Sequence, residues 1–181
     1  MPSKRTPPPA DPSADPPGDP ETVARAICLR LLTDRARTHA ELAETLRRRG
    51  VPDQVAERVL GRFSEVGLID DAAFAEQWVR SRHSTRGLAR HALATELHRK
   101  GVDDEVVGHA VAALDRDTEE RRARELVDRR LRTMASADER AANRLVGMLA
   151  RKGYPAGVAY RVVREALRER GVDGLPDEAD F

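Results

Sequence analysis

Between residues 41 and 170 the apolar positions recur at helical spacing, and the pattern occurs three times. Glu41–Gly50, Ala92–Gly101 and Arg144–Gly153 align on their final glycine. Eight residues before it stands Leu42, Leu93 or Leu145, and four before it Leu46, Leu97 or Leu149. Five residues after it comes Val55, Val106 or Val158, and ten after it Leu60, Val111 or Val163. The glycines are 51 and then 52 residues apart. Leucines four apart share one helix face. The glycine suits a left-handed C-cap, and the basic pair just before it suits the negative end of the helix dipole. Pro52, Asp103 or Pro155 then starts the next helix. Thr38–Glu41 and Ser136–Glu139 read as capping boxes, and Asp70 as the cap of a helix carrying Phe74, Trp78 and Val79. These signals predict nine helices near 22–33, 38–49, 52–66, 70–82, 86–100, 103–115, 118–133, 137–152 and 155–169.

The expected fold is all-α, with three tandem three-helix repeats over 21–69, 70–116 and 117–170. A unit of about 50 residues is marginal alone, and stacking shares its buried faces, so an elongated or arched array follows. Composition agrees: 40% of residues are apolar but only 3% aromatic, so the core must be aliphatic. Eight of the eleven prolines fall in residues 1–20, which read as a disordered tail, and 171–181 read as a second, acidic one.

Charge is uneven. Outside the first twenty residues and the last eleven stand 30 basic and 24 acidic side chains, although the whole chain carries only +1. That excess favours an acidic partner without singling out nucleic acid. Only three basic residues are lysine, Lys4, Lys100 and Lys152. Cys28 is the single cysteine and lies in an apolar run, so a buried structural thiol is expected. No run approaches the roughly 18 apolar residues of a membrane span, and no signal segment is evident, so a cytoplasmic monomer without membrane contact is expected.

Catalytic chemistry finds little support. There is no phosphate loop and no Gly-x-Gly-x-x-Gly segment. His91 and His98 lie about 10 Å apart along one helix, and the five histidines read as solvated surface groups, so neither metal nor cofactor is expected. Glu119, Glu120 and Glu125 stand among arginines at helical spacing and read as solvated pairs. Asp70 and Asp71 suit a helix start, and Trp78 with Phe74 suits a core face.

The basic pairs have two readings. Capping suffices for each repeat taken singly. Equivalent positions in a regular stack fall on one side, however, so Arg48, Arg49, Arg99, Lys100, Arg151 and Lys152 could form a stripe against an acidic surface. Arg47 and the cluster Arg80, Arg82, Arg86 and Arg90 would extend it. The scarcity of aromatics argues against single-strand binding by base stacking.

The run Gly67–Arg82, GLIDDAAFAEQWVRSR, closely resembles the signature of RecX regulatory proteins. Arg86–Arg90, Glu96–Val102 and Arg151–Pro155 with Val158 onward fit the same family, in order, over about residues 22–170. The resemblance implies three tandem three-helix repeats. It also implies a non-enzymatic regulator that binds the RecA recombinase and its filament on DNA, limits filament growth, and inhibits ATPase and strand exchange. Direct DNA contact stays open. The alternative is a DNA-binding regulator, because Thr38–Asp70 resembles a helix-turn-helix module. A single reading head would not need two further copies, and an enzyme reading is weaker still.

Overall fold

The computed structural model describes residues 18–134, 136 and 138–172. Among these residues there are nine α-helices and no strand: α1 (Pro20–Asp34), α2 (His39–Arg48), α3 (Asp53–Glu65), α4 (Asp71–Arg86), α5 (Arg90–Arg99), α6 (Asp104–Ala112), α7 (Arg116–Leu131), α8 (Glu139–Arg151) and α9 (Ala156–Arg168). The tails read at 1–20 and 171–181 lie outside the described residues, apart from residues 18–20 and 171–172.

The aligned glycines end α2, α5 and α8 in the same way. Gly50, Gly101 and Gly153 have φ of 75, 73 and 85°. The next residue, Val51, Val102 or Tyr154, donates its N–H back to Leu46, Leu97 or Leu149 at 3.1–3.2 Å. Each glycine donates to the carbonyl three residues earlier, which completes a Schellman motif. Val51, Val102 and Tyr154 are all buried, so the turn also closes over the core. All six aligned leucines are at most 1% exposed. Each contributes about 1.5–3 kcal/mol by leaving water.

Each set of three helices has its own core. Ala24, Cys28, Leu42, Leu46, Leu60 and Phe63 join α1, α2 and α3. Phe74, Val79, Leu93, Leu97 and Val107 join α4, α5 and α6. Val127, Leu145, Leu149, Val162 and Leu167 join α7, α8 and α9. Cys28 is fully buried as expected, and burial pushes its thiol pKa up. The chain divides into two compact units. One holds α1, α2 from Leu42 onward, and α3; the other holds Thr38–Glu41 and α4 to α9.

Within the second unit, one docking device is used twice. An ideal Cβ on Gly153 would lie 2.5 Å from the Ala92 nitrogen and 2.7 Å from its Cβ. Gly101 abuts Ala40 in the same manner, while Gly50 faces open space. The first N–H of α2, on His39, donates to Asp71 at 2.9 Å, and the first N–H of α5, on Arg90, donates to Glu119 at 2.8 Å. His39 and Arg90 are both eleven residues before their glycine. Each helix start thus receives a carboxylate from the first turn of another helix, which satisfies an orphan donor and complements the dipole.

Several expectations need correction. Helix α4 runs past residue 82 to Arg86, and α5 starts at Arg90 rather than 86. The Ser84 and Thr85 hydroxyls bond back to the Ser81 carbonyl inside the helix, and Gly87, at φ 64°, supplies the stop. The cap of α8 is Asp138, which accepts from the Ala141 N–H at 2.8 Å, while Ser136 only donates to Asp138. The Thr38–Glu41 box and the Asp70 cap do form. Glu119 is no solvated pair member: it is buried and accepts from both the backbone and the side chain of Arg90. His83 is likewise buried, with Nδ1 2.9 Å from the Leu88 carbonyl oxygen. Asp71 has a second role beyond the α4 dipole, since it accepts from His39.

Candidate functional site

The basic pairs at the ends of α2, α5 and α8 divide into exposed and engaged residues. Arg48, Arg49, Arg99 and Arg151 are exposed. Lys100 and Lys152 are half-buried and held in the structure. Lys100 Nζ is 2.7 Å from Glu41 Oε1 and 4.4 Å from the Trp78 ring centroid. Its carbonyl accepts from the Thr38 hydroxyl at 2.7 Å. Lys152 Nζ donates to the Arg86 carbonyl at 2.6 Å, and its own carbonyl accepts from the Ala89 N–H at 2.8 Å. Burial first, then the charges of Arg122 and Arg86, hold the Lys152 pKa below its usual value. Thr38 and Ala89 both stand twelve residues before their glycine, so the two lysines perform equivalent tasks.

The other candidates divide in the same way. Arg82 lies 4.2 Å from the Trp78 ring centroid and 3.7 Å from Glu96, which also accepts from the Trp78 indole N–H at 2.8 Å. Trp78 itself is half-buried and stacks on Phe74 at 5.7 Å, so it belongs partly to the core and partly to this cationic cluster. Arg90 is ion-paired with buried Glu119 at 3.2 Å. Arg47 and Arg48 share Glu44 at the surface, at 2.8 and 3.6 Å. Arg49, Arg80, Arg86, Arg99 and Arg151 are exposed and have no carboxylate partner among the described residues. Arg47, Arg48 and Arg49 belong to the first compact unit and the remaining candidates to the second.

Two further arginines escaped the sequence reading. Arg130, near the end of α7, and Arg144, on α8, line a cleft of about 700 Å³ together with Arg151. Met134 and Met148 supply its apolar surface over the buried Leu145, and Asn143 and Gly147 complete it. The signal was available, since Arg144, Met148 and Arg151 follow i, i+4, i+7 spacing on one helix face. Arg144 also opens the third aligned segment, where the repeat pattern hides this face.

Carboxylates here act as caps and pairs. Backbone and hydroxyl bonds from Thr118 lower the Asp115 pKa, and the Ala141 N–H lowers that of Asp138. Arg161 lowers the Glu120 pKa through a hydrogen bond, and Arg124 does the same for Glu169. All four are held ionised at helix ends or against guanidinium groups, which suits them to structure rather than to proton transfer.

The chain matches the family profiles described as the first, second and third three-helix domains of RecX, at residues 24–63, 70–111 and 117–163. It is 57% identical over 155 residues to a regulatory protein RecX of Streptomyces coelicolor, covering 85% of this chain and 82% of that protein. It is 58% identical over 151 residues to one from Thermobifida fusca, covering 83% and 82%. Among solved structures, RecX from Lactobacillus salivarius aligns with a TM-score of 0.74 at 20% identity, over 81% of this chain and 96% of that one. That likeness bears on the fold alone.

Proposed function

We propose, from the premise that this chain belongs to the RecX family of regulatory proteins, that it binds the RecA recombinase and its nucleoprotein filament and restrains filament growth, ATP turnover and strand exchange. The observation that carries this reading is the match, in order, to all three RecX domains, with over half of the aligned residues identical to named regulatory proteins. The physical reading supports it. A protein that regulates by occupying its partner needs surface rather than a reaction centre, and the exposed, unpaired arginines offer such a surface to an acidic partner.

The test is capture of purified RecA on the immobilised full chain, with and without single-stranded DNA, together with the DNA-stimulated ATPase of RecA. RecA is expected to be retained, more strongly with DNA, and its ATP turnover to fall as this protein is added. Capture should weaken as salt rises, because exposed charges are screened over about 8–10 Å. No retention in either condition, with ATP turnover unchanged, rejects the reading.

A further inference from the structure

We propose that the cleft between the end of α7 and α8 is a docking groove for an acidic polypeptide segment that carries an apolar anchor residue. This goes beyond the reading above and does not depend on which protein supplies the segment.

The charge of the groove is its first distinguishing feature. Among the described residues, Arg130, Arg144 and Arg151 line it, no carboxylate does, and none of the three has a carboxylate partner. Acidic partners are not scarce, since the chain holds 31 acidic residues. Three other arginines of the same repeat do find partners: Arg122 pairs with Glu125, Arg124 with Asp128 and Glu169, and Arg161 with Glu120. Asp128, the nearest upstream acid on α7, is thus committed, and Asp138 is committed to capping α8. Three guanidinium groups left together without counter-charge form a field that an incoming anion would complete, and their planar forks suit carboxylates.

The apolar surface selects the kind of anion. Met134 and Met148, both half-buried, line the groove over the buried Leu145. Thioether side chains adapt to the shape of an apolar partner and are favoured at surfaces that take peptide anchors. A volume of about 700 Å³ accommodates a large side chain with its flanking backbone. A nucleic-acid strand would gain little from that surface, because base stacking uses aromatic platforms and none lines the groove. Arginines around a methionine floor therefore favour carboxylates flanking an apolar residue.

The chain supplies its own reporters. Of its three methionines, Met134 and Met148 lie in the groove, so methyl-¹³C methionine labelling of the full chain reads it directly. The probes are a random copolymer of glutamate and tyrosine, polyglutamate, and an oligothymidylate of matched charge. The copolymer is expected to shift both groove methyl signals at low salt, polyglutamate to bind more weakly, and the oligonucleotide to leave them in place. Changing Arg130, Arg144 and Arg151 together to Gln should weaken copolymer binding at least about tenfold. All three are exposed, so the helical spectrum should persist, and Arg30→Gln, at an exposed site elsewhere, should change nothing.

Groove methyls unmoved by the copolymer overturn the proposal, as does a triple variant of unchanged affinity. An oligonucleotide that shifts them equally assigns the groove to nucleic acid instead, and polyglutamate binding equally well removes the apolar anchor. RecA capture by the triple variant is measured in parallel. Capture with a silent groove rejects the groove alone, and a responsive groove in a wild-type chain that captures no RecA rejects only the RecA reading.

Discussion

The close approach at Gly153 yields a stability difference that the same substitution at Gly50 should not show. Both glycines end equivalent helices with positive φ, 85° and 75°. Alanine in either place must adopt the left-handed conformation, which costs about 1–2 kcal/mol. At Gly50 nothing lies within 4 Å of the added Cβ, so that strain is the whole cost. At Gly153 the new methyl would sit 2.5 Å from the Ala92 nitrogen and 2.7 Å from its Cβ. These atoms belong to a helix and not to the tip of a flexible side chain, so the backbone itself must shift. Overpacking of this kind costs about 1–3 kcal/mol more. Gly153→Ala should therefore lose about 2–5 kcal/mol and Gly50→Ala about 1–2 kcal/mol. Urea unfolding followed by far-ultraviolet circular dichroism measures both, with the transitions of the two compact units fitted separately where they do not coincide. Equal losses would show that the contact with Ala92 adds no cost, and the docking role assigned to this glycine would fall.

Two other perturbations address the core and its polar seal. Leu97 is fully buried, so Leu97→Ala should cost about 2–5 kcal/mol in the same assay, and a loss below about 0.5 kcal/mol would mean the repeat register is wrong. The Tyr154 hydroxyl donates to the Gly87 carbonyl at 3.1 Å, and burial, then the charge of Glu119, pushes its pKa well above the ordinary phenol value. Its folded pKa is raised, so its contribution is fully present below the unfolded value of about 10 and is lost as pH rises through the folded one. Stability should decline above about pH 10, and Tyr154→Phe should remove much of that slope; an unchanged slope in the variant would assign it to other groups.

Local features of the fold were legible in the sequence, and contacts between elements were not. Leucines four apart and a glycine four beyond the second are written in a single helix, and all six leucines are buried as that pattern requires. Asp70 capping α4 is equally local. The shifted end of α4 and the Asp138 cap are local corrections, but the misreadings of burial and partner are long-range. Glu119 stands in a run of charges that looks solvated, and only the fold brings the first turn of α5 onto it. His83 looks like one more surface histidine until α4 is seen to extend beyond residue 82 and carry it into the core. Asp71 and Lys152 likewise find partners 32 and 66 residues away. Helical period identifies the face on which a side chain stands, and burial of that face depends on a second element that the period does not name.

The basic pairs show why the proposed stripe divides. Consecutive residues on a helix point about 100° apart, so where one of two neighbours at a helix end faces the core the other faces away from it. At α5 and α8 the second residue faces inward, where Lys100 meets Glu41 and Lys152 meets the Arg86 carbonyl. Arg99 and Arg151 then face outward. At α2, Gly50 has open space beside it, no inward task falls on the second residue, and Arg49 is exposed, as Arg48 is. The first residue of the pair, Arg48, Arg99 or Arg151, is thus exposed in every repeat, and Arg49 is exposed as well in the first. Arg48 already shares Glu44, while Arg99 and Arg151 have no carboxylate partner among the described residues. Arg151 alone of these also lines a cleft with two other unpaired arginines. Equivalence in sequence thus does not become equivalence in binding. The repeated position supplies an exposed cation in every copy, and in the third it stands beside two further arginines and the methionines of the cleft.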